Sequence, residues 1–185
     1  MRNIGLISAL AGAALLSGCA QQLEQVKQVN QALAAISNPQ TSSGQLGIGG
    51  RQPSPAQAAA VDSNLNTAIG DRAIAEARRE ASSNISKLLR IMSCTPQGEY
   101  PQRYLNSMAA PGANVTLYPP PAGTMRYHPK SQCLTVTRLD GWRMQAKNAL
   151  QFRAVYTSDA SGESSNDTYT FIKQPDGFWL LGSPT

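Results

Sequence analysis

Apolar and polar positions divide the chain into stretches of different period. Over residues 20–37, Leu23, Val26, Val29, Leu33 and Ile36 recur at spacings of three and four among Gln, Glu, Lys and Asn. That spacing predicts a helix with a narrow apolar stripe, open to three uses: lying on a membrane surface, pairing with a partner helix, or docking on its own domain. A weakly helical tether with no partner fits the pattern equally. Further along, Val61, Leu65, Ile69, Ala73, Ala77, Ala81, Ile85 and Leu89 step by four, Met92 follows, and Leu88 widens the stripe. Asp71, Arg72, Glu76, Arg78, Arg79 and Glu80 take the other side. This predicts an amphipathic helix whose central alanines let a sheet or another helix approach closely. Ser54-Pro55-Ala56-Gln57 reads as its start: Ser54 caps, Pro55 suits the first helical position, and Gln57 completes a capping box. Gly70 is a candidate point of division, and Ser93-Cys94-Thr95-Pro96 is the end.

From Cys133 the period changes to two. Leu134 and Val136, then Trp142, Met144 and Ala146, then Leu150, Phe152, Ala154 and Tyr156 alternate with polar neighbours. Residues 168–173 and 178–181 continue the series. Asp140-Gly141, residues 158–162 and Pro175-Asp176-Gly177 are the predicted turns. Short strands joined by short turns predict an antiparallel meander of four to five strands with one covered face. The helix before it supplies the cover. The fold class is therefore α+β, with N-terminal amphipathic helices followed by a single antiparallel sheet. Between helix and sheet, residues 96–132 hold seven prolines interleaved with Tyr100, Tyr104, Tyr118 and Tyr127. Little regular structure is expected there beyond a short edge strand at 114–118. The tyrosines offer large contact area at low entropy cost, as interface residues do, or else pack over the sheet edge to close a small core.

A helix leading into a curved meander that ends in Asp176-Gly177-Phe178-Trp179-Leu180 resembles the second half of the NTF2-like fold. Trp142, Phe152, Tyr156 and Tyr169 carry the resemblance with that turn. It covers about fifty residues and is a likeness of fold, which transfers no activity. It implies a cone whose pocket these rings would line, and such domains include both enzymes and binding modules.

The first residues read as an address. Arg2 is followed by 13 uncharged, mostly apolar residues, 4–16. That is short of the ~20 needed to span a bilayer as a helix and suits a secretory signal. Leu16-Ser17-Gly18-Cys19 then resembles the lipobox of bacterial lipoproteins. The resemblance implies cleavage before Cys19, a diacylglycerol thioether on its thiol and an acylated amine. With Ala20 rather than Asp next in line, it implies sorting to the outer membrane, with the periplasm as the default side. The expected organisation is a signal peptide at 1–18, a lipidated Cys19 with a short helix to 37, a flexible Gly/Pro/Ser linker at 38–55, and an α+β domain at 56–185. As a coil, the linker spans about 23 Å.

Setting Cys19 aside leaves Cys94 and Cys133. An even remainder in an oxidising compartment predicts one disulfide. With one His and three Cys, no zinc ligand set is apparent, and no metal or cofactor is expected. His128, in Tyr127-His128-Pro129-Lys130, is expected to be an exposed loop residue. Asp140, Asp159, Glu163, Asp167 and Asp176 all fall in predicted turns, leaving no acid on an apolar strand face. With no nucleophile motif either, the reading is a non-catalytic protein.

Charge adds one more candidate. Of 185 residues, 16 are basic and 11 acidic, and between 100 and 158 seven cations face only Asp140. Arg143, Lys147 and Arg153 fall on the polar phase of adjacent strands. They are expected to share a sheet face that attracts an anionic envelope ligand, or that simply holds counterions. The candidate binding residues are thus Arg143, Lys147, Arg153, Tyr100 and Tyr104. The partners expected are the membrane through the lipid and an envelope protein, with no nucleic acid. The leading reading is a lipid-anchored tether for a small binding domain. Its alternatives are the outer-membrane anchor of a secretion or conjugation machine and an NTF2-like small-molecule binder or enzyme.

Overall fold

The structure is a computed structural model that describes residues 51–184. Cys19, the helix expected at 20–37 and the linker as far as residue 50 lie outside the described residues. The order of elements is α1 (Pro55–Leu65), α2 (Arg72–Cys94), a short α3 (Gln102–Leu105), three 3-10 turns, and β1 (Thr135–Ala146), β2 (Ala149–Thr157), β3 (Ser164–Lys173) and β4 (Trp179–Leu181). The strands form one antiparallel sheet in sequence order. The class is α+β, helices first and sheet last.

Helix α1 begins as its sequence dictates. The Ser54 hydroxyl accepts from the Gln57 amide, and the Gln57 side chain accepts from the Ser54 amide. Gln57 also donates to the Cys133 carbonyl at 2.8 Å, tying the helix start to the sheet. Ser54→Ala is therefore expected to cost about 1 kcal/mol. Gln57→Ala should cost roughly 1 kcal/mol more, since it loses the second bond as well. Denaturant melts of the two variants check the order. The helical pattern divides at residues 66–71 around Gly70, and Asp71 restarts it by accepting from the Ile74 amide. Ala77, Ala81, Ile85, Leu88, Leu89 and Met92 of α2 then bury completely against the sheet.

Inward-facing Val136, Leu139, Leu150, Phe152, Ala154, Tyr156, Tyr169, Phe171, Trp179 and Leu181 complete the core. Each sheet edge is covered at one end. Asn64 of α1 donates to the Val136 carbonyl at 3.1 Å beside β1. On the far side Ala109 bridges Leu181 of β4, with the Ala110 amide donating to the Leu181 carbonyl. Covered edges remove the unpaired backbone groups that would otherwise template aggregation.

Four expectations change. Asp140-Gly141 is not a turn: both residues lie inside the twelve-residue β1, at a bulge where the register skips from Asp140 to Arg143. Gly141 takes a positive φ, +64°, and β1 stays paired with β2 on both sides of it, so the chain bends without reversing. It reverses at Lys147-Asn148, between paired Ala146 and Ala149. The edge strand expected at 114–118 is instead a 3-10 turn, Val115–Leu117, capped by the Asn114 carboxamide on the Thr116 amide. β3 starts at Ser164, four residues before the expected 168, because Ser164, Asn166 and Thr168 face outward and gave no apolar signal. Finally, the linker stops short of 55. The Arg51 guanidinium pairs with Glu99 at 2.9 Å and donates to the Cys94 and Lys130 carbonyls, so the domain includes residues 51–54.

Candidate binding surfaces

The disulfide between Cys94 and Cys133 is formed, across a sequence separation of 39. It joins the last residue of α2 to the start of the sheet. The Leu134 amide donates to the Ser93 carbonyl beside it at 2.8 Å. The proline-rich strap between the two cysteines is thereby closed at its base.

The cations expected on one sheet face separate. Arg143 pairs across from Gln151, and Arg153 pairs across from Asp140, so both lie on the outer face. Lys147 does not join them. It sits in the β1–β2 turn and lines, with Met144, Glu76 and Lys173, a groove of about 300 Å³ beside α2. Arg153 is not free either. Its guanidinium grips the Asp140 carboxylate with two donors, at 2.7 and 3.0 Å, and Arg138 adds a third contact at 2.7 Å. Hydrogen bonding and charge from Arg153 hold Asp140 below the usual carboxylate range and raise Arg153 in turn. The outer face thus holds an arginine–aspartate cluster in which Asp140 offsets one of its two arginines, with Arg143 left exposed.

The strap tyrosines divide. Tyr118 is core, 2% exposed, with its hydroxyl donating to the Gly182 carbonyl at 3.1 Å. Tyr104 packs half-buried against the core under the Arg103 guanidinium, 4.6 Å from its ring centre. Tyr100 and Tyr127 stand out at 73% and 68% exposed. Arg126 lies 5.4 Å from the Tyr127 ring centre.

Two polar sites were not legible from the turn pattern. Asp167 lies on the inner sheet face opposite Ala154, not in a turn, so the expectation of no acid on an apolar strand face is overturned. Two residues on, the Tyr169 hydroxyl donates to its Oδ2 at 3.4 Å, and the Tyr156 hydroxyl shares a 2.9 Å bond with Tyr169. Burial pushes Asp167 up to about 6 against the downward pull of the Tyr169 bond. It raises both buried phenols well above their usual value. The signal was the alternation Ser165, Asp167, Tyr169, Phe171 read backward from the apolar end. The rings expected to line a pocket pack on one another in the core instead. Trp142 stacks on Phe152 at 4.6 Å, Phe152 meets Tyr169 at 5.6 Å, and Phe152, Tyr156 and Tyr169 are fully buried.

His128 is the second correction. It is half-buried and bonded at both ring nitrogens. Nε2 lies 3.1 Å from the Gln132 carbonyl and Nδ1 3.0 Å from the Ser158 hydroxyl. A carbonyl only accepts, so Nε2 carries the proton and Nδ1 accepts from Ser158. The arrangement has the form of a base beside a nucleophile. Ser158 is fully buried, however, and its oxygen also accepts from the Ser161 amide, so the pair locks two loops together. Glu163 helps close the same corner by accepting from the Arg126 and Tyr127 amides at 2.8 Å each and from the Ser161 hydroxyl. Desolvation opposes its charge, but these bonds outweigh it and leave the carboxyl below its usual value.

Another concavity, about 530 Å³, lies between α2 and the β3–β4 turn, with exposed Phe178 on its rim. Several of its polar groups bond to one another. Glu80 accepts from Lys173 at 2.8 Å and from the Trp179 indole at 2.9 Å, and Asn84 donates to the Trp179 carbonyl. Among the described residues no cluster of His, Cys, Asp and Glu has the makings of a metal site. Comparison with protein-family models, curated proteins and solved structures finds no match to the chain.

Proposed function

We propose that this protein is a lipid-anchored, non-catalytic component of a bacterial envelope, holding a small disulfide-bonded α+β binding domain at the outer membrane on its periplasmic side. The observation that carries the reading is Leu16-Ser17-Gly18-Cys19, placed directly after the uncharged stretch 4–16. A thiol nucleophile with small neighbours at the end of a short apolar segment is what thioether attachment and cleavage at a membrane surface require. Two acyl chains are enough for stable anchoring, at ~0.8 kcal/mol per buried methylene. The Cys94–Cys133 bridge supports the reading, because such bonds form and persist in oxidising compartments. No helix among the described residues is long and apolar enough to cross a membrane, so the lipid is the attachment proposed. Its function is confinement: a tethered domain meets its partner at raised effective concentration, and modest contact affinity suffices.

Metabolic labelling with a fatty-acid analogue tests this. The wild type should incorporate label and fractionate with membranes. Cys19→Ala should lose the label and the membrane association together. Undiminished labelling of the variant overturns the proposal.

A further inference from the structure

The strap between the two cysteines carries an unusual balance of charge. Residues 95–132 contain one acid, Glu99, against Arg103, Arg126 and Lys130. Glu99 is neutralised by Arg51. Glu163, which reaches this side from the β2–β3 loop, spends its oxygens on the Arg126 and Tyr127 amides and the Ser161 hydroxyl. None of the three strap cations has a carboxylate partner among the described residues. The nearby anions are thus engaged, while the cations have no carboxylate, Arg103 donating only to the Tyr104 hydroxyl.

These cations stand with the exposed aromatics. Two contacts hold the two arms of the strap side by side. Gln97 donates to the Gly123 carbonyl at 3.5 Å, and Arg51 bridges the Glu99 carboxylate and the Lys130 carbonyl. Tyr100 follows Glu99 on one arm, and Tyr127 precedes Lys130 on the other. Arg103 and Arg126 each lie over a tyrosine ring. Stacking steadies a guanidinium while leaving edge donors for a carboxylate; Arg103 is steadied further by donating to the Tyr104 hydroxyl and keeps its other donors. The strap is held at its base by the disulfide and on its second arm by the Glu163 clamp, so little ordering entropy remains to be lost on binding.

We infer that the strap face of Tyr100, Arg103, Arg126, Tyr127 and Lys130 is a docking surface for an acidic segment of a partner protein. The arginines take its carboxylates and the two exposed tyrosines cover its backbone. Exposed Tyr and Arg are the side chains that concentrate binding energy at protein interfaces. An anionic membrane surface is the poorer fit, because lipid-binding basic clusters hold ~4–8 cations and this face holds three. The inference deepens the binding-domain part of the proposed function and does not depend on the lipid.

The test uses the full chain in detergent and a fluorescent ten-residue peptide of alternating Glu and Ala. Arg103→Glu with Arg126→Glu is expected to weaken peptide binding about tenfold or more. Tyr100→Ala with Tyr127→Ala should weaken it about fivefold without lowering the melting temperature. Arg143→Glu with Lys147→Glu, which makes the same change in net charge elsewhere, should move it less than about twofold. No binding by the wild type, or an equal loss from the Arg143/Lys147 pair, overturns the inference. So does a result in which the Arg103/Arg126 pair abolishes binding to vesicles containing anionic phospholipid and leaves peptide binding intact. Cys19→Ala should leave peptide binding unchanged, so a failure of lipid labelling and a failure of this docking surface are read separately.

Discussion

Cys94→Ser will destabilise the domain by about 4 kcal/mol. The bridge closes a separation of 39 residues. A loop of that length loses much of its freedom in the unfolded chain once cross-linked. The enclosed strap has little regular structure, only the four-residue α3 and three short 3-10 turns, so the bridge adds to the core contacts of Leu105, Met108, Val115, Tyr118 and Met125 that hold it. The bridge also fixes the C-terminal end of α2 to the first residues of the sheet, where the Leu134 amide meets the Ser93 carbonyl. The melting temperature should fall by more than about 10 °C, and reductant should lower the wild type to nearly the same value. An identical melt for Cys94→Ser and wild type would show that the bridge is absent in solution.

Asp167→Asn should act in the opposite direction and only above acidic pH. The carboxyl is raised from 3.8 to about 6, chiefly by burial. The folded state therefore favours the protonated form. Its stabilising contribution is complete below the unfolded value and is lost as pH rises through about 6. Above that pH the ionised carboxylate costs up to about 3 kcal/mol relative to an uncharged group. Asparagine keeps an oxygen to accept from Tyr169 and carries no charge. At pH 7.5 the variant should be more stable by about 1–3 kcal/mol, with the range allowing for partial exposure. At pH 4 the two proteins should melt together. A variant that is equally displaced at both pH values would show that the change acts through packing rather than ionisation.

Both predictions rest on residues whose legibility differed. The disulfide followed from counting, because one cysteine was assigned to the lipobox and two remained. Asp167 did not follow, because residues 164–167 are polar and read as a continuing loop. Ser164 pairs with Thr157 and Asp167 with Ala154, and it is this pairing that makes them a strand. The arginine–aspartate cluster shows the same dependence. Asp140-Gly141 has the composition of a turn, yet Arg153 on the neighbouring strand holds the Asp140 carboxylate and the strand continues through a bulge. His128 and Ser158 are 30 residues apart, and no local pattern links them.

What the sequence determined by itself was everything governed by period, caps and counting. The amphipathic α2, the division of the helical pattern near Gly70, the capping box at Ser54, the alternation of β2, the Pro175-Asp176-Gly177 turn and the pairing of the cysteines all arise from interactions within a few residues or from an arithmetic remainder. Tertiary structure alone decided the bulge in β1, the inward turn of Asp167, the docking of Arg51 beside the disulfide, and which tyrosines are core and which face solvent. Each of these is settled by a partner many positions away. The free energy of a buried carboxyl, an ion pair or a covered ring belongs to the contact, and the contact exists only once the chain has folded.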